Sequence, residues 1–361
     1  MMTLILMAIL VFSAFYTPWR LKRLGILKTS LKLSFIILIL LVGFTASLLS
    51  RLYITSFIGG IIYDVLGLFL IFQGYLFILL LVFHLFHRPL SRAIKAKTLG
   101  LLAIVIPAAL VIWGFINAQS FVVTEQEIEV KGLKSPVTIM HIPDMHLGAQ
   151  RSSGYLNKVL SAVESASPDI VIYNGDLADS NIALTDEVFS LFEKIKAEQY
   201  YTTGNHEYYI DTDRILDLAK KHGLKLLRSE MVLTHGLQLI GLEYMNADRE
   251  SSDAHRVNDL YMNEILPKIL RDPSIPTILA HHSPVGLKYV TREKIEVMLT
   301  GHTHAGQLFP GTFMIRLLFP YYKGRYQLDD TTLLVSQGAG TFGPWMRLNT
   351  FNEVQLIKLK G

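Results

Sequence analysis

Long apolar runs with almost no charge dominate the first third of this chain. The four runs span residues 2–16, 33–49, 57–83 and 99–117. A helix needs about 20 apolar residues to cross the hydrocarbon core of a bilayer, and about 17 is the practical minimum. The second, third and fourth runs are long enough, whereas the first is marginal and lacks the basic segment of a signal peptide. Residues 1–120 are therefore expected to form an all-α transmembrane region of about four helices, with spanning by the first run left open.

Charge is distributed very unevenly between this region and the remainder of the chain. Residues 1–120 contain ten lysines or arginines and one acidic residue, whereas residues 121–361 contain 24 basic and 29 acidic residues. The net charge of +4 therefore conceals a cationic first third and a mildly acidic remainder. Because the basic residues lie between apolar runs, no nucleic-acid partner is expected.

The loops between the apolar runs predict an orientation in the membrane. The basic residues of the first loop are Arg20, Lys22, Arg23, Lys28 and Lys32, those of the third are Arg88, Arg92, Lys95 and Lys97, and the second has Arg51. The positive-inside rule places the first and third loops in the cytoplasm, even if the first run does not span. We therefore expect a multi-pass protein of the cell membrane, with residues 121–361 on the outer face. The absence of cysteine fits an oxidising exterior without requiring one.

Short β-rich segments alternate with helical patterns from residue 121 to the end. The predicted strands are 137–142, 169–176, 199–205, 237–244, 277–283 and 297–304, and the predicted helices are 154–165, 185–197 and 212–222. Each strand runs into a polar turn. This alternation predicts a layered α/β domain, in which functional side chains collect beyond the carboxyl ends of the strands.

Five of these strand ends carry residue types that bind metal ions. They are Asp144 and His146 in PDMHLG, Asp176 in NGDLAD, Asn205 and His206 in GNHE, His281 and His282 in AHHSP, and His302 and His304 in GHTH. In extended backbone, residues two apart point the same way, so Asp144 and His146 are expected to grip one cation. Asp176 has two carboxylate oxygens and is suited to bridging two ions.

The charges of these residues favour two divalent metal ions. Two cations, the Asp144 and Asp176 carboxylates and one hydroxide leave a residual charge of about +1, which suits an anionic phosphate. A metal pair can hold the attacking hydroxide and clamp the phosphoryl oxygens. Nitrogen and oxygen ligands without sulfur fit Mn, Fe, Zn or a mixed pair.

The order D-x-H, GD, GNH, a histidine before proline and GHxH resembles the calcineurin-like metallophosphoesterase superfamily, over roughly residues 137–305. The extended GHTHAGQLFP is similar to the membrane-anchored bacterial branch, some members of which act on lipid-linked substrates. The resemblance implies a metallophosphoesterase β-sandwich flanked by helices over residues 121–361. It departs from the family at Pro143, where serine is frequent, but that position is not a ligand.

Carried over position by position, the resemblance implies the role of each site residue. One metal would be held by Asp144, His146, Asp176 and His304, and the other by Asp176, Asn205, His282 and His302. His206 would protonate the leaving group or stabilise the transition state. His281 stays the alternative to His282, although the H-x-P spacing to Pro284 favours His282. Asp179 is either an acceptor that orients a ligand or a solvated loop acid.

The segment after the last motif, residues 308–328, is rich in apolar and aromatic residues. This pattern predicts either of two structures. One is a core-forming hairpin. The other is an apolar surface near the bilayer, with Arg316 and Lys323 facing a phosphate or lipid headgroups. Residues 340–348 add Trp345 and Arg347 at the expected rim.

Together these features predict a membrane-anchored two-metal hydrolase for a phosphoester or pyrophosphate, with a lipid-linked substrate and membrane lipids as partners. The alternatives are a phosphatase for a soluble envelope phosphomonoester or nucleotide, and a non-catalytic metal-binding membrane sensor.

Overall fold

The computed structural model describes residues 2–50, 55–149, 151–251 and 256–361. Two units are distinguished: Met1–Asn117 with Gly343–Met346, and Ala118–Phe342 with Arg347–Gly361. Within the described ranges the first unit contains the helices α1 (Met2–Arg23), α2 (Leu31–Ser50), α3 (Phe57–Leu85), α4 (His87–Ala93) and α5 (Ala96–Asn117). Arg51 lies outside the described residues.

Three of these helices are long and apolar enough to cross a membrane. They are α2 over Leu31–Leu48, α3 and α5, among the helices that the described residues form. Helix α1 extends past the first apolar run to Arg23 and contains Pro18, so spanning by that run stays a prediction. These three spans support membrane association of the chain.

A buried glutamine ties two of the helices together. Gln73 of α3 donates to the carbonyl of Ser13 at 3.2 Å and to the hydroxyl of Thr17 at 3.0 Å, both on α1. Since lipid cannot satisfy an amide, such side-chain contacts hold apolar helices in register.

The second unit is built on two six-stranded sheets. Their strands are β1 (Phe121–Glu129), β2 (Val137–Ile142), β3 (Ile170–Asn174), β4 (Glu198–Thr202), β5 (Lys225–Leu226), β6 (Glu230–Thr234), β7 (Leu237–Gly241), β8 (Thr277–Ala280), β9 (Val297–Thr300), β10 (Gly324–Leu328), β11 (Thr331–Val335) and β12 (Asn352–Lys360). The strand orders are β1-β12-β2-β3-β4-β5 and β10-β11-β9-β8-β7-β6. In each sheet the central strands, β2-β3-β4 and β7-β8-β9, run parallel.

Helices cover the outer faces of both sheets. They are α6 (Ser153–Ala166), α7 (Asp186–Phe189), α8 (Thr212–Lys221), α9 (Met262–Ile265) and α10 (Leu287–Arg292), and a further helix, α11 (Gly311–Leu318), follows the turn after β9. Apolar side chains of both sheets, such as Ile172 and Leu299, form one buried core between them. Separate cores lie under α6 to α8 and under α9 and α10. The predicted layered α/β fold is therefore confirmed.

Two predicted segments differ from the structure. The helix expected over 185–197 is the short α7 followed by a 3₁₀ segment at Ser190–Lys194. Phe189, the last residue of α7, and Phe192 of the 3₁₀ segment are both buried in the same core. In the segment 308–328, the hairpin interpretation is wrong for the first half, because α11 exposes its apolar side chains and only β10 pairs, with β11.

Candidate metal centre

The loops that follow β2, β3, β4, β8 and β9 meet at one edge of the two sheets. The amide of Asp144 donates to the carbonyl of Gly175 at 3.0 Å, and the amide of His146 donates to that of Asp176 at 2.9 Å. In the other sheet, the amide of Gly301 donates to the carbonyl of His282 at 2.8 Å. Parallel strands thus present their carboxyl-terminal turns side by side.

The backbone at these turns is left-handed and not extended as expected. Asp144 and His146 have φ of 55° and 50°, Asp176 has 52°, and His302 and His304 have 69° and 47°. Non-glycine residues rarely adopt this region, and it costs about 1–3 kcal/mol where the surroundings enforce it. The chain turns sharply as it leaves each strand, and this turn aims the side chains into the shared edge.

Two glycines permit the carboxylates to sit against neighbouring backbone. A Cβ on Gly204 would lie 2.1 Å from Asp176 Oδ1, and one on Gly301 would lie 2.1 Å from Asp144 Oδ2. Any side chain at either position would therefore displace a carboxylate.

Asp144, His146 and His304 form the first cluster of candidate ligands. The Nε2 atom of His304 lies 3.0 Å from His146 Nε2 and 3.3 Å from Asp144 Oδ1. One ligand atom from each of the three residues lies within 4.8 Å of the others, and all three residues are buried. One cation could contact these three atoms at once.

Asp176, His282 and His302 form the second cluster, with ligand atoms again within 4.8 Å of one another. Asp176 Oδ2 lies 3.1 Å from His282 Nε2 and 3.8 Å from His146 Nε2, so the carboxylate faces both clusters. The side-chain oxygen of Asn205 is buried and makes no hydrogen bond within the described residues, and the buried Nε2 atom of His282 also lies 3.6 Å from Asp144 Oδ1. A buried polar atom without a hydrogen-bond partner destabilises the fold unless a bound ligand or ion contacts it. The donor set therefore fits divalent cations.

His281 and His282 point in different directions. His282 holds its Nδ1 against the carbonyl of Asn174 at 2.8 Å, which aims Nε2 at the two carboxylates. His281 instead places Nδ1 2.8 Å from the carbonyl of Ser283 and stacks on Tyr244. The structure brings His282 into the second cluster and leaves His281 outside both clusters.

Asp179 orients two histidines with one oxygen. Its Oδ1 atom lies 2.6 Å from Nδ1 of His146 and 2.6 Å from Nδ1 of His206. Each imidazole must donate from Nδ1, which leaves the Nε2 lone pair of a neutral His146 for a cation. His206 Nε2 lies 3.9 Å from Asp176 Oδ2, beside the clusters. Of the two interpretations of Asp179, the structure favours an orienting acceptor.

Glu207 stabilises the turns after β3 and β4 by accepting hydrogen bonds from their backbone amides. Its fully buried carboxylate accepts from the amides of Asp176, Leu177 and Gly204 at 3.0, 2.7 and 2.6 Å. Burial, with Asp176 nearby, raises the pKa of Glu207. The carboxylate joins the turns after β3 and β4.

The carboxylates of the centre determine how its histidines are protonated. Burial alone would lower the pKa of His282, but Asp176 and Asp144 outweigh burial and raise it to about 9. Burial is likewise outweighed at His206, where Asp176 and Asp179 raise the pKa to about 10. Burial opposes ionisation of Asp176, yet these histidines hold its pKa well below the usual range. A cation that binds here therefore replaces protons, and its binding releases them.

Arg347 lies directly behind His304 and is fully buried, whereas the sequence placed it at the rim. Its guanidinium donates to the carbonyls of Gln337, Gly340 and His304 at 2.5, 2.6 and 3.1 Å. It also lies 3.0 Å from His304 Nδ1. Burial lowers the pKa of His304 to about 4 despite Asp144, so this imidazole is neutral at pH 7. Nothing in the sequence around Arg347, which closely follows a Gly-Pro-Trp segment, indicates that its side chain is buried.

Arg316 and Lys323 stand on the exposed side of the GHTH turn. The guanidinium of Arg316 lies over the rings of Phe313 and Tyr322, at 5.8 and 5.2 Å. The hydroxyl of Thr303, inside the GHTH motif, donates to the carbonyl of Tyr322 at 2.5 Å. Lys323 follows and is exposed. Neither cation belongs to the two clusters.

Comparison with known proteins gives a consistent family. A family model described as calcineurin-like phosphoesterase matches residues 137–306. An uncharacterized metallophosphoesterase of Campylobacter jejuni is 31% identical over 241 residues, 65% of this chain and 62% of that protein. A transmembrane protein with metallophosphoesterase domain from Bos taurus is 31% identical over 297 residues, 75% of this chain and 65% of that protein. The chain thus spans less than two thirds of the length of these relatives.

Among solved structures, a putative 5'-nucleotidase from Staphylococcus aureus in complex with alpha-ketoglutarate aligns with a TM-score of 0.39 and 13% identity. The alignment covers 62% of this chain and 54% of that chain.

Proposed function

The chain carries a calcineurin-like phosphoesterase domain over residues 137–306, and from this premise we propose that it is a membrane-anchored two-metal phosphoesterase. The observation that carries the proposal is the pair of histidine and aspartate clusters, because Asp176 of the second cluster also faces His146 of the first. We assign Asp144, His146 and His304 to one ion, and Asn205, His282 and His302 to the other, with Asp176 shared.

Two bound divalent ions, of Mn, Fe, Zn or a mixed pair, would supply Lewis-acid activation of water and neutralise phosphoryl charge. Residues of the protein donate the proton and position the ligands. His206, held through Nδ1 by Asp179, presents Nε2 to the centre and donates a proton to the leaving oxygen. In the metal-free centre, burial is outweighed by Asp176 and Asp179, which raise the pKa of His206 to about 10. Asp179 and Glu207 fix the ligands and the turns in place.

We further propose that the substrate is a lipid or lipid-linked phosphoester or pyrophosphate. The support is the presence of candidate membrane spans in the same chain and the exposed apolar surface of α11 beside the GHTH turn. Arg316 and Lys323 on that surface would meet the phosphate or neighbouring anionic headgroups.

Hydrolysis by the full chain in detergent tests both statements. The panel comprises a chromogenic phosphodiester, a phosphomonoester and a glycerophospholipid or lipid-linked pyrophosphate, with Mn, Zn or Fe added. We expect hydrolysis that chelation abolishes, with the lipid preferred. The double variant Arg316→Ala/Lys323→Ala should lose about 30-fold more rate on the lipid than on the chromogenic ester, since each of the two basic residues near an anionic surface contributes about 1 kcal/mol.

If the double variant lost the same factor in hydrolysis rate on both substrates, the proposal of a lipid substrate would be wrong. A preference for the monoester would favour a soluble envelope phosphomonoester or nucleotide. Metal binding without hydrolysis of any substrate would instead favour a non-catalytic sensor.

We also propose that the phosphoesterase domain lies on the outer face of the membrane, because the basic residues concentrate in the first and third loops. The chain has no cysteine, so one introduced thiol can be located without background. Ser161→Cys, exposed on α6, should react with a membrane-impermeant maleimide in spheroplasts. Thr29→Cys, exposed in the first loop, should react only after permeabilisation. The opposite pattern would reverse the orientation.

A further inference from the structure

A cavity of about 630 Å³ opens beside the second cluster. Its lining residues include Val285, Leu287, Leu318, Phe319, Tyr321 and Leu328. Ligand sites commonly occupy about 300–1,000 Å³ and are lined mainly by apolar side chains. The cavity therefore has the size and the walls of a binding site, and none of the residues assigned above to the ions lines it.

Two connections join this cavity to the candidate metal centre. Pro284 and Val285 line the cavity and follow His282 almost immediately in the chain. Phe319 lines it as well, and its ring centroid lies 5.5 Å from that of His302 in an edge-on contact. A substrate whose phosphate lies at the two clusters would therefore have the cavity within reach of its neighbouring group.

The apolar surface of α11 continues from the cavity into solvent. Leu318 lines the cavity and is 71% exposed, and Leu317 beside it is 87% exposed. Phe313 and Met314 on the same helix are also exposed. Contiguous exposed apolar side chains of this kind mark sites of contact with another apolar phase.

We propose that the cavity holds the aliphatic chain of the substrate, next to the phosphoester that is hydrolysed. This inference rests on the proposed phosphoesterase function and makes the cavity the determinant of specificity for lipids. A methylene chain needs only apolar walls, which Leu287, Phe319 and Leu328 supply. Lys288, the cationic side chain of the lining, is paired with Asp248 at 2.9 Å.

Chain-length dependence of hydrolysis gives the first test. The probes are methyl, butyl and octyl p-nitrophenyl phosphodiesters, which share one leaving group, applied to the full chain in nanodiscs. For the wild type, kcat/KM should rise at least about 30-fold from methyl to octyl, since each buried methylene adds binding. Leu328→Trp fills the cavity and should reduce that ratio to about threefold or less. The methyl ester serves as internal reference for folding.

The matched control is Leu233→Trp, a leucine 65% exposed on β6 and absent from the cavity lining. It should retain the octyl-to-methyl ratio of the wild type. The same ratio in Leu328→Trp and in the wild type, or no dependence on chain length, would overturn the proposal. Partitioning into the bilayer affects all three proteins equally, so it cannot produce a difference between them.

Photocrosslinking tests the cavity independently of catalysis. The probe is a hexadecylphosphonate with a diazirine at the chain end, which is not hydrolysed. We expect labelled peptides that cover 284–291 and 318–328, with labelling there at least about fivefold lower in Leu328→Trp, because the indole fills the volume of the chain. Label at these segments that Leu328→Trp leaves unchanged, or no label there, would overturn the proposal. Absence of hydrolysis of every diester, with the expected labelling, would count against the phosphoesterase function alone.

Discussion

Asp176→Asn is expected to lower kcat/KM on any phosphoester substrate by about 10³-fold or more, equivalent to about 4 kcal/mol of transition-state stabilisation. The reason is the position of Asp176, which belongs to the second cluster and also faces His146 of the first. Its Oδ2 atom lies 3.1 Å from His282 Nε2 and 3.8 Å from His146 Nε2. Asparagine removes the charge that both ions would share.

The substitution is chosen because it preserves the local structure. Asp176 has φ of 52°, and asparagine tolerates this left-handed region better than other residues. Its side-chain oxygen can still accept from the amide of His206, as Asp176 Oδ1 does at 2.8 Å. A loss of activity would therefore report the missing charge and not a collapsed turn.

Metal content, measured by mass spectrometry on the purified full chain, separates binding from chemistry. The wild type should carry two ions and Asp176→Asn at most one. Asp179→Asn should be intermediate, with metal affinity lowered about 10–100-fold, because the neutral amide oxygen that replaces Oδ1 accepts more weakly from His146 and His206 than a carboxylate does. Asp272→Asn, at an exposed turn, is the control and should match the wild type. Normal metal content in Asp176→Asn would show that our ligand assignment is wrong.

The sequence predicted those features of the fold and the site that depend on residues close together in the chain. Strand β2 was predicted at its observed bounds, and the strand-end motifs were recognised because ligand types and glycines recur at short spacing. The pairing of β1 with β12 was not predicted, since Phe121 pairs with Asn352 across more than half the chain. The left-handed backbone of Asp144 and His146 was also missed, because only the completed turn enforces it. The ligand assignments themselves stay predictions.

Burial of Arg347 is the largest feature that the sequence did not reveal, and it leads to the second prediction. Arg347→Met is expected to lower the free energy of unfolding by about 3 kcal/mol or more, since each buried acceptor left without a donor costs about 1–3 kcal/mol. The carbonyls of Gln337 and Gly340 would lose their partner, as would Asn352 Oδ1, which accepts from Nε at 2.9 Å. The loop that they form also donates from Gly340 to the carbonyl of Asp144 at 2.6 Å.

Thermal unfolding of the full chain in detergent with a chelator measures this effect without any contribution from bound metal. The transition of the phosphoesterase domain should fall by about 6–12 °C in Arg347→Met. Arg347→Lys should recover only part of the loss, because an ammonium group cannot reach acceptors spread around a planar guanidinium. Arg325→Met, an exposed arginine whose Nη1 donates to the carbonyl of Glu127, should stay within about 0.5 kcal/mol of the wild type. If Arg347→Met unfolds with the wild type, the carbonyls around it are satisfied in another way, and the guanidinium does not hold His304 in place.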